Sequence, residues 1–280
     1  MLRLGFVAAA LAIACAEPAP ATAQTPAPEV STPIVIGQSY RLASTLLGQD
    51  REINVWLPPG YGEAGRRYPV LYVLDGGQDQ DFHHISGLVQ LGTVNGTTRD
   101  IIVVGVATID RRNELALRTS DPELVAAYPT QGESARFRSF LAEEVVPFVE
   151  TQFATDGTST LMGESLAGLF VVEALLKQPD LFDAYVAVSP SLWWDDGELA
   201  GQAGTLLRAH PNAGKTLILS LEGDRAETDP TIRSLVEGFN VSGPNGWTLI
   251  LDPRPTETHA TIYHGAALDA VRRLYPSPAE

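Results

Sequence analysis

Residues Thr158–Lys177 read TSTLMGESLAGLFVVEALLK, which is a short apolar run, a glycine-containing turn and a longer apolar run. Run lengths of this kind predict a strand followed by a helix. The turn between them, GESLAG at 163–168, matches the tight strand-to-helix turn that holds a serine hydroxyl off the edge of a sheet. Its serine needs small neighbours, and Gly163 and Ala167 provide them, although Ala167 stands where the pattern has a second glycine. We therefore predict that Ser165 is a nucleophile.

Strand-like and helical segments alternate on both sides of this turn. Residues 134–153 and 260–274 predict helices, the first with a kink at Pro147. The alternation predicts a mostly parallel α/β sheet with helices on both faces, in the manner of the α/β-hydrolase fold. The first two strands should form a hairpin around 48–50. Besides the strand at the start of the quoted stretch, the predicted strands are 40–47 and 51–57, which form this hairpin, and 70–74, 101–106, 185–188, 217–221 and 247–251.

The N-terminus resembles an export signal. Residues 1–23 combine Arg3 with a short apolar run and end in Ala21-Thr22-Ala23, so we predict a signal peptide that is cut before Gln24. The run is too short to cross a membrane as a stable helix. A periplasmic or secreted protein is expected, and a lipoprotein anchored through Cys15 is the alternative. Cys15 is the only cysteine, so neither a disulfide framework nor a thiol nucleophile is expected after cleavage.

Composition limits the function classes. Residues 24–35 are rich in Pro and Thr and predict a tether, and residues 36–280 are expected to form one domain. Hydrophobic residues make up 44% of the chain and charged residues 19%, which is usual for a folded soluble protein. The net charge of -15 argues against nucleic acid or anionic lipid as a partner. The sequence leaves the oligomeric state open.

A serine hydroxyl needs an adjacent base to act as a nucleophile near neutral pH. In the predicted fold the base is a histidine that follows the last strand. Among the five histidines His259 fits this position, since it follows the strand at 247–251 and precedes the final helix. His264 lies inside that helix and His210 in a polar loop, so both are expected to be surface or packing residues.

The third member of such a triad is a carboxylate that holds and orients the histidine. It should follow the strand that ends at Leu221, where Glu222, Asp224 and Glu227 are the candidates. We prefer Asp224, with Glu227 second, and expect Glu222 to point away from the base.

The reaction also needs backbone N–H groups to bind the oxyanion that forms in the transition state. The N–H of Leu166, directly after the nucleophile, is one candidate. The other should come from the loop 74–77, where glycines let the backbone approach a ligand closely. We favour the N–H of Gly77, with Gly76 as the alternative.

Six motifs are spread from about residue 40 to residue 275. Together they resemble the esterase family that includes enterochelin and other siderophore esterases, S-formylglutathione hydrolases, feruloyl esterases and mycolyltransferases. The resemblance is greatest to the enterochelin-esterase-like bacterial branch. The motifs are Val73-Leu74-Asp75-Gly76, Phe82-His83-His84, Asp110-Arg111 with Glu114-Leu115, Gly163-Glu164-Ser165-Leu166-Ala167-Gly168-Leu169-Phe170, Ser189-Pro190-Ser191-Leu192-Trp193-Trp194 and Glu257-Thr258-His259.

This resemblance implies hydrolysis of a small-molecule carboxylic ester through an acyl-enzyme, without a metal or cofactor. An acyltransferase and, less consistent with these motifs, a non-catalytic binding protein are the alternatives. The chain departs from the family at Ala167 and in LEGDRAE at 221–227, where the family often has a glycine directly after the strand. The resemblance therefore does not select the acid.

Four side chains near the predicted site are candidates for substrate binding. His83 and His84 follow the oxyanion loop, with partial burial as the alternative. Trp193 follows a central strand at the edge where open α/β sheets bind ligands, and either it or Trp194 should line the pocket. Arg111 could meet an anionic substrate group, or form a structural ion pair instead.

Overall fold

The computed structural model describes residues 32–210, 214–242 and 246–277 of the chain. In these residues eight strands form one sheet, and every predicted strand is present. The predicted signal peptide and Cys15 lie outside the described residues, and residues from Val35 onward form one compact unit. The strands are β1 (Gln38–Ser44), β2 (Gln49–Trp56), β3 (Tyr68–Leu74), β4 (Ile102–Val106), β5 (Thr155–Glu164), β6 (Ala184–Val188), β7 (Thr216–Glu222) and β8 (Thr248–Arg254).

The strand order is β1-β2-β4-β3-β5-β6-β7-β8. Strands β1 and β2 form the predicted antiparallel hairpin, in which Ser44 pairs with Gln49. Strand β2 is antiparallel to β4, and all other neighbours are parallel. This is the mostly parallel α/β-hydrolase sheet that the sequence predicts.

Successive side chains of the central strand β3 enter two different cores. Tyr72 packs in a core with Phe137 and Phe170 on one face of the sheet. Leu71 and Val73 pack on the other face in a second core. A strand that is buried on both faces reads as a continuous apolar run, which is why VLYVL at 70–74 has no polar alternation.

Helices cover both faces. The segment 134–153 is helical as predicted, but its middle, Leu141–Val145, is a π-helical turn placed directly before Val146 and Pro147. Proline has no N–H to donate to the preceding turn, so the irregularity at this place has a local cause. The α-helices are α1 (Phe82–Val94), α2 (Arg111–Leu115), α3 (Pro122–Ala127), α4 (Ser134–Phe140), α5 (Val146–Gln152), α6 (Leu166–Lys177), α7 (Glu198–Gly201), α8 (Ala203–Ala209), α9 (Arg225–Thr228), α10 (Pro230–Ser242) and α11 (Ile262–Leu274).

Helices α1 to α3 and α7 to α10 were not predicted from the sequence. Their apolar residues are interrupted by polar and small ones, and packing against neighbouring elements stabilises them more than local propensity does. Helix α10, for example, buries only Ile232, Leu235, Gly238 and Phe239. No helix in the described part of the chain is long and apolar enough to cross a membrane.

The parallel strands bring their carboxyl ends to one edge of the sheet. Strand β5 ends at Glu164, β6 at Val188 and β7 at Glu222, and these ends lie side by side. The residues that follow them therefore meet, although they are far apart in the sequence.

Candidate active site

The turn after β5 has the geometry of a nucleophile elbow. Ser165 has φ 59° and ψ -115°, a conformation that a residue other than glycine adopts only at a cost. A Cβ on Gly163 would lie 2.7 Å from the Cβ of Ala167 and 2.8 Å from its carbonyl carbon. Gly163 is therefore required, whereas the methyl group of Ala167 is fully buried and fits. This accounts for the alanine at that position.

Helix α6 begins directly after the serine and approaches β6 closely. A Cβ on Gly168 would lie 3.0 Å from the Val188 carbonyl oxygen. Leu166 is the first residue of this helix, and the first N–H groups of a helix have no acceptor within it. Its N–H is thus placed beside Ser165, as the sequence predicts for an oxyanion donor.

The predicted base lies next to Ser165. His259 is on the loop between β8 and α11, and its Nε2 is 3.2 Å from the Ser165 hydroxyl oxygen. A second hydroxyl, that of Ser191, lies 3.3 Å from the same oxygen. The pair Ser165–His259 is within the reach that proton transfer needs.

The carboxylate beside the base is Glu222, which corrects the preference for Asp224. The Glu222 carboxylate lies 3.7 Å from Nδ1 of His259. Gly223 has φ 56° and turns the chain sharply after the strand, so Asp224 leaves the sheet edge. Asp224 is exposed, with its carboxylate 3.3 Å from the Thr228 hydroxyl, and Glu227 is exposed on α9. Glu222 is the last residue of β7, so the sheet still sets the direction of its side chain. Of the three candidate acids, only Glu222 lies near the histidine.

Two residues that the sequence analysis did not single out complete this side of the site. The Ser189 hydroxyl lies 2.7 Å from Nδ1 of His259. Arg225 donates to Ser189 at 3.1 Å and to the Glu222 carboxylate at 3.2 Å. Burial raises the pKa of Glu222, but a backbone N–H, the nearby Ser189 hydroxyl, and the charge and hydrogen bond of Arg225 outweigh it and bring that pKa below its usual value.

The backbone N–H of Gly77, the expected oxyanion donor, already has a hydrogen-bond acceptor in this structure. Its N–H donates to Oε1 of Gln80 at 2.9 Å, and Nε2 of Gln80 is held in turn by Thr108. The N–H of the alternative, Gly76, donates to the Val106 carbonyl at 3.0 Å. Gly77 can bind an oxyanion only if the Gln80 side chain moves, so its role stays a prediction.

Arg111 forms an ion pair within the protein. Its Nε donates to Asp75 at 2.7 Å and its Nη2 to the Glu164 carbonyl at 3.2 Å. Asp75 has φ 51° and stands directly before Gly76. Of the two roles expected for Arg111, the structure shows the ion pair, which ties the 75–77 loop to the residue before the nucleophile.

The two predicted histidines differ in their surroundings. His83 is exposed on the first turn of α1. His84 lies 3.1 Å from His264 of α11, between the two ring nitrogens Nε2 and Nδ1, with the rings stacked. Burial, with a smaller contribution from His264, lowers the pKa of His84. The described contacts bring neither His83 nor His84 to Ser165.

Of the two tryptophans after β6, one is buried and the other is exposed, as expected. Trp194 is buried, and its indole N–H donates to the Leu117 carbonyl at 2.8 Å. Trp193 is 53% exposed. It lies two residues beyond Ser191, so it is the one available to a ligand near the serine.

Two half-buried carboxyl groups near the elbow have raised pKa values. Burial and, to a smaller extent, the charge of Asp81 raise the pKa of Glu164 to about 7, against the opposing charge of Arg111. Burial likewise raises the pKa of Asp81 to about 6. Among the described residues no three His, Cys, Asp or Glu side chains form a group that could hold a metal ion.

Two of the three residues beside His259 stand at places that the sequence marks. Ser189 opens the SPSLWW motif, and Glu222 is the last residue of the strand after which the acid was expected. No sequence pattern pointed to Arg225, which lies three residues after Glu222.

A mostly parallel sheet, a strained serine at the elbow and a histidine on the loop after the last strand define an α/β-hydrolase with a serine–histidine pair. The family model described as "Putative esterase" matches residues 44–230. That match covers more than half of the chain, so the chain belongs to this family.

Individual relatives are consistent with this. The chain is 40% identical over 75 residues to a siderophore enterobactin esterase of Emericella nidulans, covering 26% of this chain and 25% of that protein. It is 31% identical over 144 residues to the ferri-bacillibactin esterase BesA of Bacillus subtilis, covering 46% and 49%. The matched segments thus span a quarter to about half of these curated relatives.

A solved structure covers more of the chain. The IroE-like serine hydrolase from Shewanella oneidensis superimposes with a TM-score of 0.75 at 27% identity, covering 85% of this chain and 80% of that one.

Proposed function

We propose that the protein is a serine esterase in which Ser165 is the nucleophile and His259 the base. One observation carries the proposal: Nε2 of His259 lies 3.2 Å from a serine hydroxyl held at a strained elbow, at the start of α6. Membership of the esterase family supports the same reaction.

In this mechanism the Ser165 oxygen attacks the ester carbonyl while its proton passes to Nε2 of His259. The N–H of Leu166 binds the oxyanion. As the tetrahedral intermediate collapses, the C–O bond to the alcohol breaks and His259 returns the proton to that alcohol. Water then attacks the acyl-enzyme, again with His259 as the base, and releases the acid and free Ser165.

A fluorophosphonate probe tests the nucleophile. We expect labelling at Ser165 in the wild-type protein and none in Ser165→Ala, which should fold normally and lose esterase activity. Because the Ser191 hydroxyl is only 3.3 Å away, the labelled peptide must be identified by mass spectrometry. Labelling of Ser191, or full activity in Ser165→Ala, would refute the assignment.

The substrate that we propose is an ester bond of a siderophore. The support comes from the relatives, which are named as esterases of enterobactin, bacillibactin and triacetylfusarinine C. The test compares a cyclic trilactone siderophore, with and without ferric iron, against p-nitrophenyl esters of increasing chain length. A kcat/KM for the trilactone no higher than for p-nitrophenyl acetate would contradict it. Transfer of the acyl group to an added alcohol in preference to water would identify an acyltransferase instead.

We also propose that the protein is exported, on the grounds of the composition of residues 1–23 alone. Mass spectrometry of the mature protein should find Gln24 at the N-terminus. A lipid-modified Cys15 at the N-terminus would make it a lipoprotein.

A further inference from the structure

The hydroxyl of Ser165 has two polar neighbours, and only one of them is the base. Its oxygen lies 3.2 Å from Nε2 of His259 and 3.3 Å from the Ser191 hydroxyl oxygen. Both separations allow a hydrogen bond, although each is longer than the optimum of about 2.8 to 3.0 Å. Contacts between catalytic groups are often long in a free enzyme and shorten in the transition state. The mechanism proposed above uses His259 but not Ser191.

The backbone of Ser165 is tied on both sides to the segment that carries Ser191. The N–H of Ser165 donates to the Val188 carbonyl at 2.9 Å, and the N–H of Ser191 donates to the Ser165 carbonyl at 3.0 Å. Between these two bonds Pro190 packs closely on α6, since a Cβ on Gly168 would lie 3.1 Å from its Cα. The backbone therefore sets the distance between the Ser165 and Ser191 hydroxyl groups.

The Ser191 hydroxyl has one hydrogen-bond partner among the described residues, which is the Ser165 hydroxyl. Ser191 is 7% exposed, so water has little access to it. A buried hydroxyl that makes no hydrogen bond lowers the stability of the fold. The contact with Ser165 is thus the one that satisfies the Ser191 hydroxyl within the protein.

The available acceptors decide the direction of the two hydroxyl protons. A hydroxyl has one proton to donate and two lone pairs that accept. If Ser191 donates to Ser165 and Ser165 donates to His259, both protons have an acceptor. If Ser165 donates to Ser191 instead, the Ser191 proton has no acceptor among the described residues. The contacts therefore favour the first order, in which the Ser165 proton faces the base.

We propose that Ser191 is a catalytic hydroxyl that donates to the Ser165 oxygen and directs the Ser165 proton toward His259. As that proton moves to Nε2 and the Ser165 oxygen attacks the ester carbonyl, Ser191 keeps its own proton. Its hydrogen bond stabilises the negative charge that develops on the Ser165 oxygen. The same contact acts again when the acyl-enzyme breaks down and this oxygen is the leaving group. The inference rests on the proposed function, because it assigns a role relative to the same Ser165–His259 pair.

Two matched pairs of proteins isolate the hydroxyl. Ser191→Ala lacks the hydroxyl of the wild type, and Ser191→Val lacks the hydroxyl of Ser191→Thr at nearly the same side-chain volume. We expect kcat to fall about 10-fold in Ser191→Ala with KM unchanged, which is the effect of one lost hydrogen bond. Ser191→Thr should be faster than Ser191→Val by a similar factor. Rates are expressed per active site titrated with a fluorophosphonate, so that any misfolded fraction does not count.

Two results of this comparison would overturn the proposal. The first is a wild-type kcat in Ser191→Ala. The second is an equal kcat in Ser191→Thr and Ser191→Val, because the shape of the side chain and not its hydroxyl would then determine the rate.

The matched control is Ser220→Ala. Ser220 is also buried near the carboxyl end of a strand, and its hydroxyl donates to Asp252 at 2.8 Å. It makes no hydrogen bond to Ser165 or His259, so we expect the variant to keep the wild-type kcat. An equal loss in Ser220→Ala would mean that removal of any hydroxyl at this edge is harmful, and would refute a specific role for Ser191.

The rate of fluorophosphonate labelling tests whether Ser191 acts on the Ser165 oxygen. The probe reacts with that oxygen, so its second-order rate constant should fall in Ser191→Ala by about the same factor as kcat. An unchanged labelling rate beside a lower kcat would mean that Ser191 acts on the ester substrate, and would contradict the proposal. If the wild-type protein is not labelled at Ser165, the proposed function fails. If it is labelled and active while Ser191→Ala keeps its kcat, only the present inference fails.

Discussion

Oε1 of Glu222 lies 3.7 Å from Nδ1 of His259, and the carboxylate is held there by Arg225 at 3.2 Å. Glu222 is the last residue of β7, and His259 lies on the loop after β8, the strand that pairs in parallel with β7. The end of β7 thus sets the position of Glu222. Arg225, on the next helix, balances the negative charge of the Glu222 carboxylate.

We first predict that Glu222→Gln lowers kcat/KM for p-nitrophenyl acetate by orders of magnitude, because the imidazolium loses its stabilising charge. Removal of the acid from a serine protease triad costs about 10⁴-fold. Asp224→Asn is the matched control, since Asp224 is exposed and two residues away. It should change the rate less than threefold. A crippled Asp224→Asn beside an active Glu222→Gln would restore the assignment made from sequence.

The elbow gives a second prediction. Gly163→Ala should destabilise the protein by about 1 to 3 kcal/mol, because its Cβ would overlap Ala167. Ala167→Gly should cost about 1 kcal/mol or less and leave the activity in place. Unfolding in urea measures both. The double variant should not recover, since the new Cβ would also lie 2.8 Å from the backbone carbon of residue 167. Full recovery would show that the methyl group alone excludes a side chain at 163.

A third prediction concerns Arg111. Arg111→Met should lower kcat/KM for neutral and anionic esters by the same factor and reduce Tm, because the side chain holds Asp75 and the Glu164 carbonyl together. Arg112→Met is the control, since its guanidinium is exposed and stacks on Tyr128 at 4.4 Å. A loss confined to anionic esters would show instead that Arg111 binds the substrate.

The fourth prediction is a pH dependence of stability. Burial raises the pKa of Glu164 from 4.5 to about 7, so the folded state prefers the neutral acid. The contribution of this group to stability is complete below about pH 4.5 and is lost as the pH rises through about 7. Glu164→Gln stays neutral, so its free energy of unfolding should exceed that of the wild type by an amount that grows over this window. The partly exposed carboxyl limits the difference to about 1 to 2 kcal/mol.

Urea unfolding at pH 4.5, 6 and 8 measures this difference, with exposed Glu227→Gln as the control. A constant difference between Glu164→Gln and the wild type across the three pH values would contradict the prediction.

Local patterns were sufficient for much of the site. Ser165 and Gly163 were identified because a strand, a tight turn and a helix are consecutive in the chain, and steric demands at such a turn act over a few residues. His259 was identified by its order after the last strand. The Leu166 N–H followed from the same turn, because a helix that starts there must leave its first donors unpaired.

The acid could not be selected in this way. Glu222, Asp224 and Glu227 are chemically similar and close together, and the difference between them is a direction in space. The left-handed turn at Gly223 sends the chain away from the sheet edge, so the carboxylate before it faces the base and the two after it do not. A short sequence window does not show where a chain turns relative to the loop that follows a neighbouring strand.

The sequence by itself determined the fold class and selected Ser165 and His259 as the pair that the structure brings together, because strand and helix patterns and the elbow depend on near neighbours. The tertiary structure decided the contacts near the ends of different strands: Glu222 and Ser189 beside His259, and Arg111 on Asp75. These contacts depend on strand order and register, which bring together residues from distant parts of the chain. Hydrogen bonds of 2.7 Å respond to such placement within fractions of an ångström, whereas a sequence pattern records only spacing along one chain.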